Sequence, residues 1–439
     1  MSSSAELIEK GLRNLKIDSL NLMQQAAIEA AREKDLVLLS PTGSGKTLAF
    51  LIPMLQRLAT DTTGIQALVL VPSRELALQI EQVFRQMVTG HKVLSSYGGH
   101  PTYIEKNSLV ESPALLIGTP GRIAYHLRHQ NIDPTTIHTL VLDEFDKALE
   151  LGFQEDMSFI IGHLTGLQRR ILTSATRMDR IPDFTGITPP AELDFLDETT
   201  SAPDLQLKAV RSESTEKPET LFSLTCKIGN KATLVFCNHR DAVERISELL
   251  WNRGLEHGIF HGGMEQPDRE RALLKFRNGS HRLLITTDLA SRGLDIPEIE
   301  YIIHYQLPYT EEAFTHRNGR TARMHAKGTA YLILTDDEIP AYLSQELDYE
   351  ELPEQDQLPP PTEWSTLYVG AGKKDKVNKV DIVGLLLQKG KLQKEELGRI
   401  EVQDHTSFAA VRREKINQVV QLIRNEKIKG KRVKIDISK

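Results

Sequence analysis

The stretch Leu36-Val-Leu-Leu-Ser-Pro-Thr-Gly-Ser-Gly-Lys-Thr47, followed by the apolar run Leu48 to Leu55, decides the fold of this chain. An apolar strand, a glycine loop and a helix in that order aim backbone N–H groups at phosphate oxygens from a helix N-terminus. Thr42, Gly43, Ser44 and Gly45 are the cradle candidates. Lys46 is placed to reach the β- and γ-phosphates of a nucleoside triphosphate, and Thr47 to ligate Mg²⁺ through its hydroxyl. The general pattern GxxxxGK[ST] has Gly where this chain has Ser40. A plain glycine-rich turn is the alternative, and the flanking strand and helix favour nucleotide binding.

Working outward, short apolar runs recur between helical patterns: Leu36 to Ser40, Ala67 to Val71, Ala114 to Gly118, Thr139 to Leu142 and Arg170 to Thr173. The same alternation restarts with Thr233 to Cys237, Gly258 to His261, Arg282 to Thr286, Tyr301 to Tyr305 and Thr329 to Leu334. Two consecutive sets of this kind predict two doubly wound parallel sheets, which bind ligands at the carboxyl ends of their strands. The expected domains are 1–200, 205–335 and 365–439, with an acidic, proline-rich linker over 336–364.

Composition sets the limits. The chain has 439 residues, 40% hydrophobic and 26% charged, ample for packed cores and against disorder throughout. No run approaches the roughly 18 to 20 apolar residues of a membrane helix, and the N-terminus lacks an apolar signal core, so a cytoplasmic protein without membrane contact is expected. Two cysteines, Cys226 and Cys237, are too few for a disulfide framework or a metal knuckle. The net charge of −6 hides a division: the last 75 residues carry 18 basic and 9 acidic side chains, the preceding ones 36 and 51. Between Asp336 and Glu363 lie ten acids, no Lys or Arg, and five prolines, a composition that favours extended chain.

Other motifs fall at the predicted strand ends. Thr139-Leu-Val-Leu-Asp-Glu-Phe-Asp146 is an apolar strand ending in acids. Asp143 can hold Mg²⁺ opposite Thr47, and Glu144 can orient and deprotonate an attacking water. A helix N-cap with two solvated acids is the alternative. In His316-Arg-Asn-Gly-Arg-Thr-Ala-Arg323, Arg320 and Arg323 are three apart and can supply positive charge to a γ-phosphate; a basic surface helix is the alternative.

These residues fit a larger series: Gln24 in LMQQAAI, SPTGSGKT, PSREL at 72–76, Gly98-Gly99, TPGR at 119–122, DEFD, SAT at 174–176, LVFCN at 234–238, HGGMEQPDR at 261–269, TTDLASRGLD at 286–295, and HRNGRTAR. From about Leu15 to Leu334 the chain resembles the DEAD-box RNA helicases of superfamily 2. The resemblance implies two tandem RecA-like sheets, ATP and Mg²⁺ as cofactors, and RNA as partner in preference to DNA. It implies that Gln24 reads adenine, Asp295 meets the ribose, and Arg320 and Arg323 reach the γ-phosphate. Ser174, Thr176 and His316 couple hydrolysis to domain closure, while Arg74, Gly99, Thr119, Arg122, Arg269, Thr287 and Gly293 hold the RNA backbone. Four positions depart from the family: Phe145 for Ala in the acid box, Ser40 for Ala, Asn318 for an apolar residue, and Ile17, Leu20 and Leu22 in place of Phe and Pro before Gln24.

The last 75 residues run strand, helix, strand, strand, helix, strand, the order of an RRM-like α+β domain. Only Tyr368 and Phe408 sit where sheet aromatics stack bases, and either fits a core equally well. The basic residues Lys373, Lys374, Lys376, Arg412, Arg413, Lys427, Lys429, Lys431 and Arg432 are the stronger RNA candidates. GAGKKDKV, DIVGLLL, GRIEV and KIKGKRVKI resemble the C-terminal domain of the DbpA subgroup, which implies recognition of a large-subunit rRNA hairpin in a pre-ribosomal particle. The expected function is an ATP-dependent helicase in ribosome assembly, acting as a monomer. An RNA clamp with weak ATPase, or a motor acting on cold-shock or decay substrates, are the rival readings.

Overall fold

A computed structural model describes residues 4–41, 43–60, 62–99, 102–178, 180–196, 205–291, 299–321, 328–335, 339–340, 342–343 and 347–438. The chain divides into two compact units near residue 203.

The first unit holds one parallel sheet of seven strands: β1 (Leu36–Leu39), β2 (Ala67–Leu70), β3 (Val93–Ser96), β4 (Leu115–Gly118), β5 (Thr139–Leu142), β6 (Arg169–Ser174) and β7 (Ala191–Asp194). Their order is β3-β4-β2-β5-β6-β1-β7. β1, β2, β4 and β5 are buried at every residue because helices cover both faces, which is why they read as unbroken apolar runs. The edge strand β7, AELD, alternates half-buried and exposed residues and gave no such run.

The second unit holds a sheet of the same type: β8 (Leu205–Arg211), β9 (Thr233–Phe236), β10 (Gly258–Phe260), β11 (Leu283–Thr286), β12 (Tyr301–His304), β13 (Gly328–Leu334) and β14 (Asp348–Tyr349). Their order is β10-β11-β9-β12-β13-β8-β14, all parallel. Both sheets are RecA-like. The unit also carries the C-terminal antiparallel sheet, from β15 (Trp364–Val369), β16 (Leu397–Val402), β17 (Ser407–Arg412) and β20 (Ile435–Ile437), in the order β16-β17-β15-β20. Between β17 and β20 lie the helix Arg413–Ile423 and a hairpin of β18 (Lys427–Ile428) and β19 (Lys431–Arg432). One face of this sheet buries Leu367, Val369, Ala409 and Val411 against Ile382, Leu386, Ile416 and Ile423.

The acidic stretch is packed where its composition favours extended chain. Tyr349 and Asp348 add β14 to the edge of β8. Glu350 takes hydrogen bonds from Lys208 (2.8 Å) and Tyr331 (2.8 Å) and pairs with Lys227 (2.5 Å). Ser223 donates to Asp356 at 3.0 Å and Asn230 to the Pro360 carbonyl at 2.6 Å. The C-terminal sheet then seats on the same unit: Thr366 Oγ1 meets Asn278 Nδ2 at 2.9 Å and Ser280 Oγ at 2.8 Å, all buried. Arg413 makes a two-pronged pair with Glu256 at 2.9 and 2.8 Å. Among the described residues no helix is long and apolar enough to cross a membrane.

Candidate functional site

Strand order explains where the chemistry-bearing residues go. β5, β6 and β1 are neighbours, and each ends in one motif: the acid box, SAT and the glycine loop. The loop is held to β6 by the Ser40 N–H, which donates to the Ser174 carbonyl at 3.0 Å. Gly43 and Gly45 adopt φ of +86° and +92°, a left-handed backbone that glycine takes without strain. A Cβ on Gly45 would also lie 2.5 Å from Gln24 Nε2. Lys46, buried at the start of the helix Lys46–Leu55, donates to the carbonyls of Ser40 (2.5 Å) and Pro41 (2.9 Å), so its ammonium lies along the loop. Ser44 and half-buried Thr47 belong to the same turn; Thr42 lies outside the described residues.

Asp143 is buried, and burial pushes its pKa up against the opposing pull of the Thr173 hydrogen bond and the Lys46 charge. Thr173 Oγ1 donates to Asp143 Oδ1 at 2.5 Å and accepts from the Glu144 N–H at 3.3 Å. Glu144 sits at φ 48° and ψ 50°, a left-handed conformation that is costly for a residue with a Cβ. It starts the helix Phe145–Glu150, and Asp146 on that helix accepts from Thr176 Oγ1 at 2.9 Å. Ser174 Oγ donates to the Thr176 carbonyl at 2.7 Å and accepts the Thr176 N–H at 3.1 Å. The acid box is therefore joined twice to the end of β6 and the segment after it, through Thr173 just before SAT and through Thr176 within it. Phe145, the departure from Ala, is fully buried, its ring centroid 6.2 Å from that of Phe184.

Gln24 closes the loop from the other side. Asn21 and Gln24 cap the helix Leu22–Glu33 reciprocally, the Asn21 N–H donating to Gln24 Oε1 at 3.0 Å and the Gln24 N–H to Asn21 Oδ1 at 2.8 Å. Gln24 Nε2 donates to the Gly45 carbonyl at 3.1 Å, and Asn21 Nδ2 to the Ser44 carbonyl at 3.0 Å. Each end of the Gln24 amide retains one further hydrogen-bonding position.

A second group gathers at the other end of the sheet, after β2, β3 and β4. Arg74 opens the helix Arg74–Met87, and its guanidinium lies where a Cβ on Gly99 would be; Gly99 takes φ +99°, a left-handed backbone that favours glycine, and a side chain there would also displace Arg74. Thr119 precedes the helix Pro120–Arg128 at its N-cap position, with no hydrogen bond from its side chain to the helix. Arg122 pairs with Glu105 at 2.9 Å, which also accepts from Ser96 (3.1 Å) and the Tyr97 N–H (3.3 Å) and contacts His126 (2.7 Å).

In the second unit Arg269 is buried beside Gln266, and the Thr287 N–H reaches the Phe260 carbonyl at 3.4 Å. His316 and Arg320 are buried at the end of the helix Glu311–Asn318 and in the turn after it. Gly293, Asp295 and Arg323 lie outside the described residues. In the C-terminal domain Lys373, Lys374, Lys376, Lys427, Lys429, Lys431 and Arg432 are exposed. Arg412 and Arg413 are instead engaged within the protein, Arg412 lying 4.5 Å over the Trp364 ring and Arg413 holding Glu256.

Family models match three segments in order: a DEAD/DEAH box helicase domain over residues 21–184, a helicase conserved C-terminal domain over 216–325, and a DbpA RNA binding domain over 366–437. The chain is 31% identical to the ATP-dependent RNA helicase DbpA of Escherichia coli K12 over 440 residues, 98% of this chain and 96% of that one. This chain belongs to the DEAD-box RNA helicases of the DbpA type. The DbpA of Bacillus subtilis 168 is 28% identical over 98% of this chain and 97% of its own. The solved structure of S. cerevisiae Dbp5 bound to RNA and ADP BeF3 superposes with a TM-score of 0.71, 25% identity, 80% coverage of this chain and 96% of that one. As a DEAD-box helicase the chain is an RNA-dependent ATPase that uses ATP and binds RNA.

Sequence reading of this helicase passed over Thr173, Glu105 and Asn21, which act on named site residues without belonging to any quoted role. It also passed over Arg317, spelled within HRNGRTAR. Thr173 and Asn21 are polar residues flanking a motif, Arg317 lies within one and Glu105 stands apart from all of them, so no specific local signal singles them out.

Proposed function

We propose that this helicase remodels short duplexes of large-subunit rRNA in a pre-ribosomal particle, working as a cytoplasmic monomer. Its DbpA-type C-terminal domain supports the rRNA assignment, together with the name DbpA on relatives aligned along nearly their whole length. The acid box, SAT and glycine loop are joined by direct hydrogen bonds, and this carries the ATPase reading.

In this reading Gly43, Ser44, Gly45 and Thr42 wrap the phosphates, and Lys46 leaves the Ser40 and Pro41 carbonyls for the β- and γ-oxygens. Glu144, at its strained turn, orients the attacking water and accepts its proton. Arg320 and Arg323 place positive charge on the γ-phosphate. Gln24 offers its remaining donor and acceptor to adenine, Asp295 meets the ribose, and Ser174, Thr176 and His316 couple hydrolysis to domain closure. The donors at Thr47 and Asp143 are all oxygen, and a divalent cation would favour the charged carboxylate against the burial that raises the Asp143 pKa; the residues fit Mg²⁺. When bound, Mg²⁺ neutralises phosphate charge. Arg74, Gly99, Thr119 and Arg122, with Arg269, Thr287 and Gly293, hold RNA through its backbone, and the exposed lysines of the C-terminal domain select the hairpin.

The test is RNA-stimulated phosphate release by the full chain against a panel of rRNA fragments, beside a variant with Lys427, Lys429, Lys431 and Arg432 replaced by Ala. A hairpin preference that disappears in the variant, while stimulation by generic RNA persists, is the expected result. Equal stimulation of the unaltered chain by every fragment defeats the rRNA assignment.

A further inference from the structure

The turn that carries Arg320 is braced by buried polar residues to which the reading above gives no role. Arg317 is completely buried and uses every edge of its guanidinium. Nε and Nη2 donate to the two carboxylate oxygens of Asp288 at 2.5 and 3.1 Å, Nη2 also to Asn238 Oδ1 at 2.8 Å, and Nη1 to the Gln306 carbonyl at 2.7 Å. Those partners follow β11, β9 and β12 respectively, so one side chain ties three strand ends to the helix Glu311–Asn318.

Its neighbour Asn318 ends that helix. Asn318 Oδ1 lies 2.9 Å from Nε2 of His304, the last residue of β12, whose side chain is wholly buried between Phe314 and Phe236 at ring distances of 4.8 and 6.2 Å. An oxygen acceptor at Nε2 fixes the tautomer: Nε2 carries the proton and donates, and Nδ1 is left without a hydrogen-bond partner among the described residues. Burial, with the Arg317 charge beside it, pushes the His304 pKa down to about 3, so the ring is neutral at pH 7. A buried, half-satisfied imidazole is less favourable there than an apolar ring of the same shape, so its presence needs a reason.

The geometry beyond Asn318 supplies one. Gly319 and Arg320 form a single turn whose far shoulder is also fixed: the Arg320 N–H reaches the Arg317 carbonyl at 3.2 Å, the Thr321 N–H the Asn318 carbonyl at 3.1 Å, and Thr321 Oγ1 the Ile299 carbonyl. Arg320 is thus held between the Ile299 anchor on one side and the Arg317 and Asn318 anchors on the other. We infer that His304 and Asn318 are a positioning pair that sets the Arg320 guanidinium for ATP hydrolysis. This rests on the assignment of Arg320 to the γ-phosphate. An arginine in that role contributes roughly 10³ to 10⁵ in rate, and a displacement of about 1 Å costs on the order of 10².

The test is steady-state RNA-stimulated ATP turnover by the full chain carrying Asn318→Leu, His304→Phe, both together, His304→Gln, and Arg320→Ala, with thermal unfolding of each. Each of the first two strands a buried polar group, and kcat is expected to fall tenfold or more, with KM for ATP within about twofold. His304→Gln keeps a donor for Asn318 and should retain most of the rate. The double variant replaces the polar pair by an apolar one and should recover to within about threefold. Asn318→Ser, which shortens the acceptor, serves in place of Asn318→Leu if that variant does not fold. Unchanged kcat in the single variants, a rise in KM at constant kcat, or a loss that matches the unfolded fraction overturns the inference while Arg320→Ala is inactive. Full activity of Arg320→Ala overturns the γ-phosphate assignment and the positioning role together.

Discussion

At the scale of single residues, the acid box shows a family motif kept in its chemistry and changed in its packing. Asp143 and Glu144 are tied to Thr173, while Phe145 fills a core site at zero exposure beside Phe184. Phe145→Ala, which restores the usual family spelling, is therefore expected to destabilise the first unit by about 3–5 kcal/mol, because the surrounding core cannot collapse onto the void. Urea unfolding measures this, and a variant as stable as the parent would show that the ring fills no necessary space. Glu144→Gln has the opposite profile: no loss of stability, and a drop in kcat of about 10² or more with ATP still bound, read by phosphate release and nucleotide titration. Gly45→Ala should weaken both binding and turnover, since φ of +92° is strained for alanine and the methyl group would push the Gln24 amide, 2.5 Å away, off the Gly45 carbonyl. Nucleotide titration of that variant at wild-type affinity would count against the cradle.

Among the elements, the strap from β14 to β15 contributes most that the sequence does not display. Glu350 is pulled up in pKa by burial and pulled down harder by hydrogen bonds from Lys208, Lys227 and Tyr331, which hold it at about 2 against an ordinary glutamate value of 4.5. A carboxyl whose pKa falls on folding stabilises the fold fully above about pH 4.5 and loses that contribution as the pH drops through about 2. With solvent screening, Glu350→Gln should cost about 1–2 kcal/mol at pH 7 and almost nothing near pH 2. Unfolding midpoints of the two proteins at several pH values test this, and a difference that persists unchanged at low pH refutes it. The strap also marks the boundary of what could be read in advance. β1, β2, β4, β5, β9 and β11 are buried on both faces, so their apolar runs stand out in the chain. β14 is two residues, Asp348 and Tyr349, whose place comes from the free edge of β8 and from cations more than a hundred residues away. Likewise Lys46, Asp143 and Arg320 were legible as motif letters, whereas Thr173 and His304 acquire a role only when strand order brings them beside motif residues.

Over the whole molecule, the net charge of −6 is the sum of −15 before residue 365 and +9 after it, and the structure places part of that excess on one feature. Lys429 and Gly430 both take positive φ, at 50° and 79°, the two-residue turn that matches the twist of a hairpin. That turn joins β18 to β19 and presents Lys427, Lys429, Lys431 and Arg432 to solvent. Lys429 pairs with Asp381 at 2.7 Å and Lys431 with Asp375 at 3.4 Å, so these two already have partial neutralisation, while Arg412 and Arg413 are occupied at the junction. Each phosphate neutralised on RNA contributes about 0.7–0.9 to the slope of log affinity against log salt. Replacing the four hairpin cations by Ala should therefore reduce that slope by about 2 to 3, less than four full contacts because two of them begin paired. Fluorescence anisotropy of an rRNA hairpin between about 50 and 200 mM salt measures it. A slope unchanged by the fourfold substitution would move the RNA contact away from this hairpin, to the loop of Lys373, Lys374 and Lys376, where the same measurement on a Lys373→Ala, Lys374→Ala, Lys376→Ala variant would then show the loss.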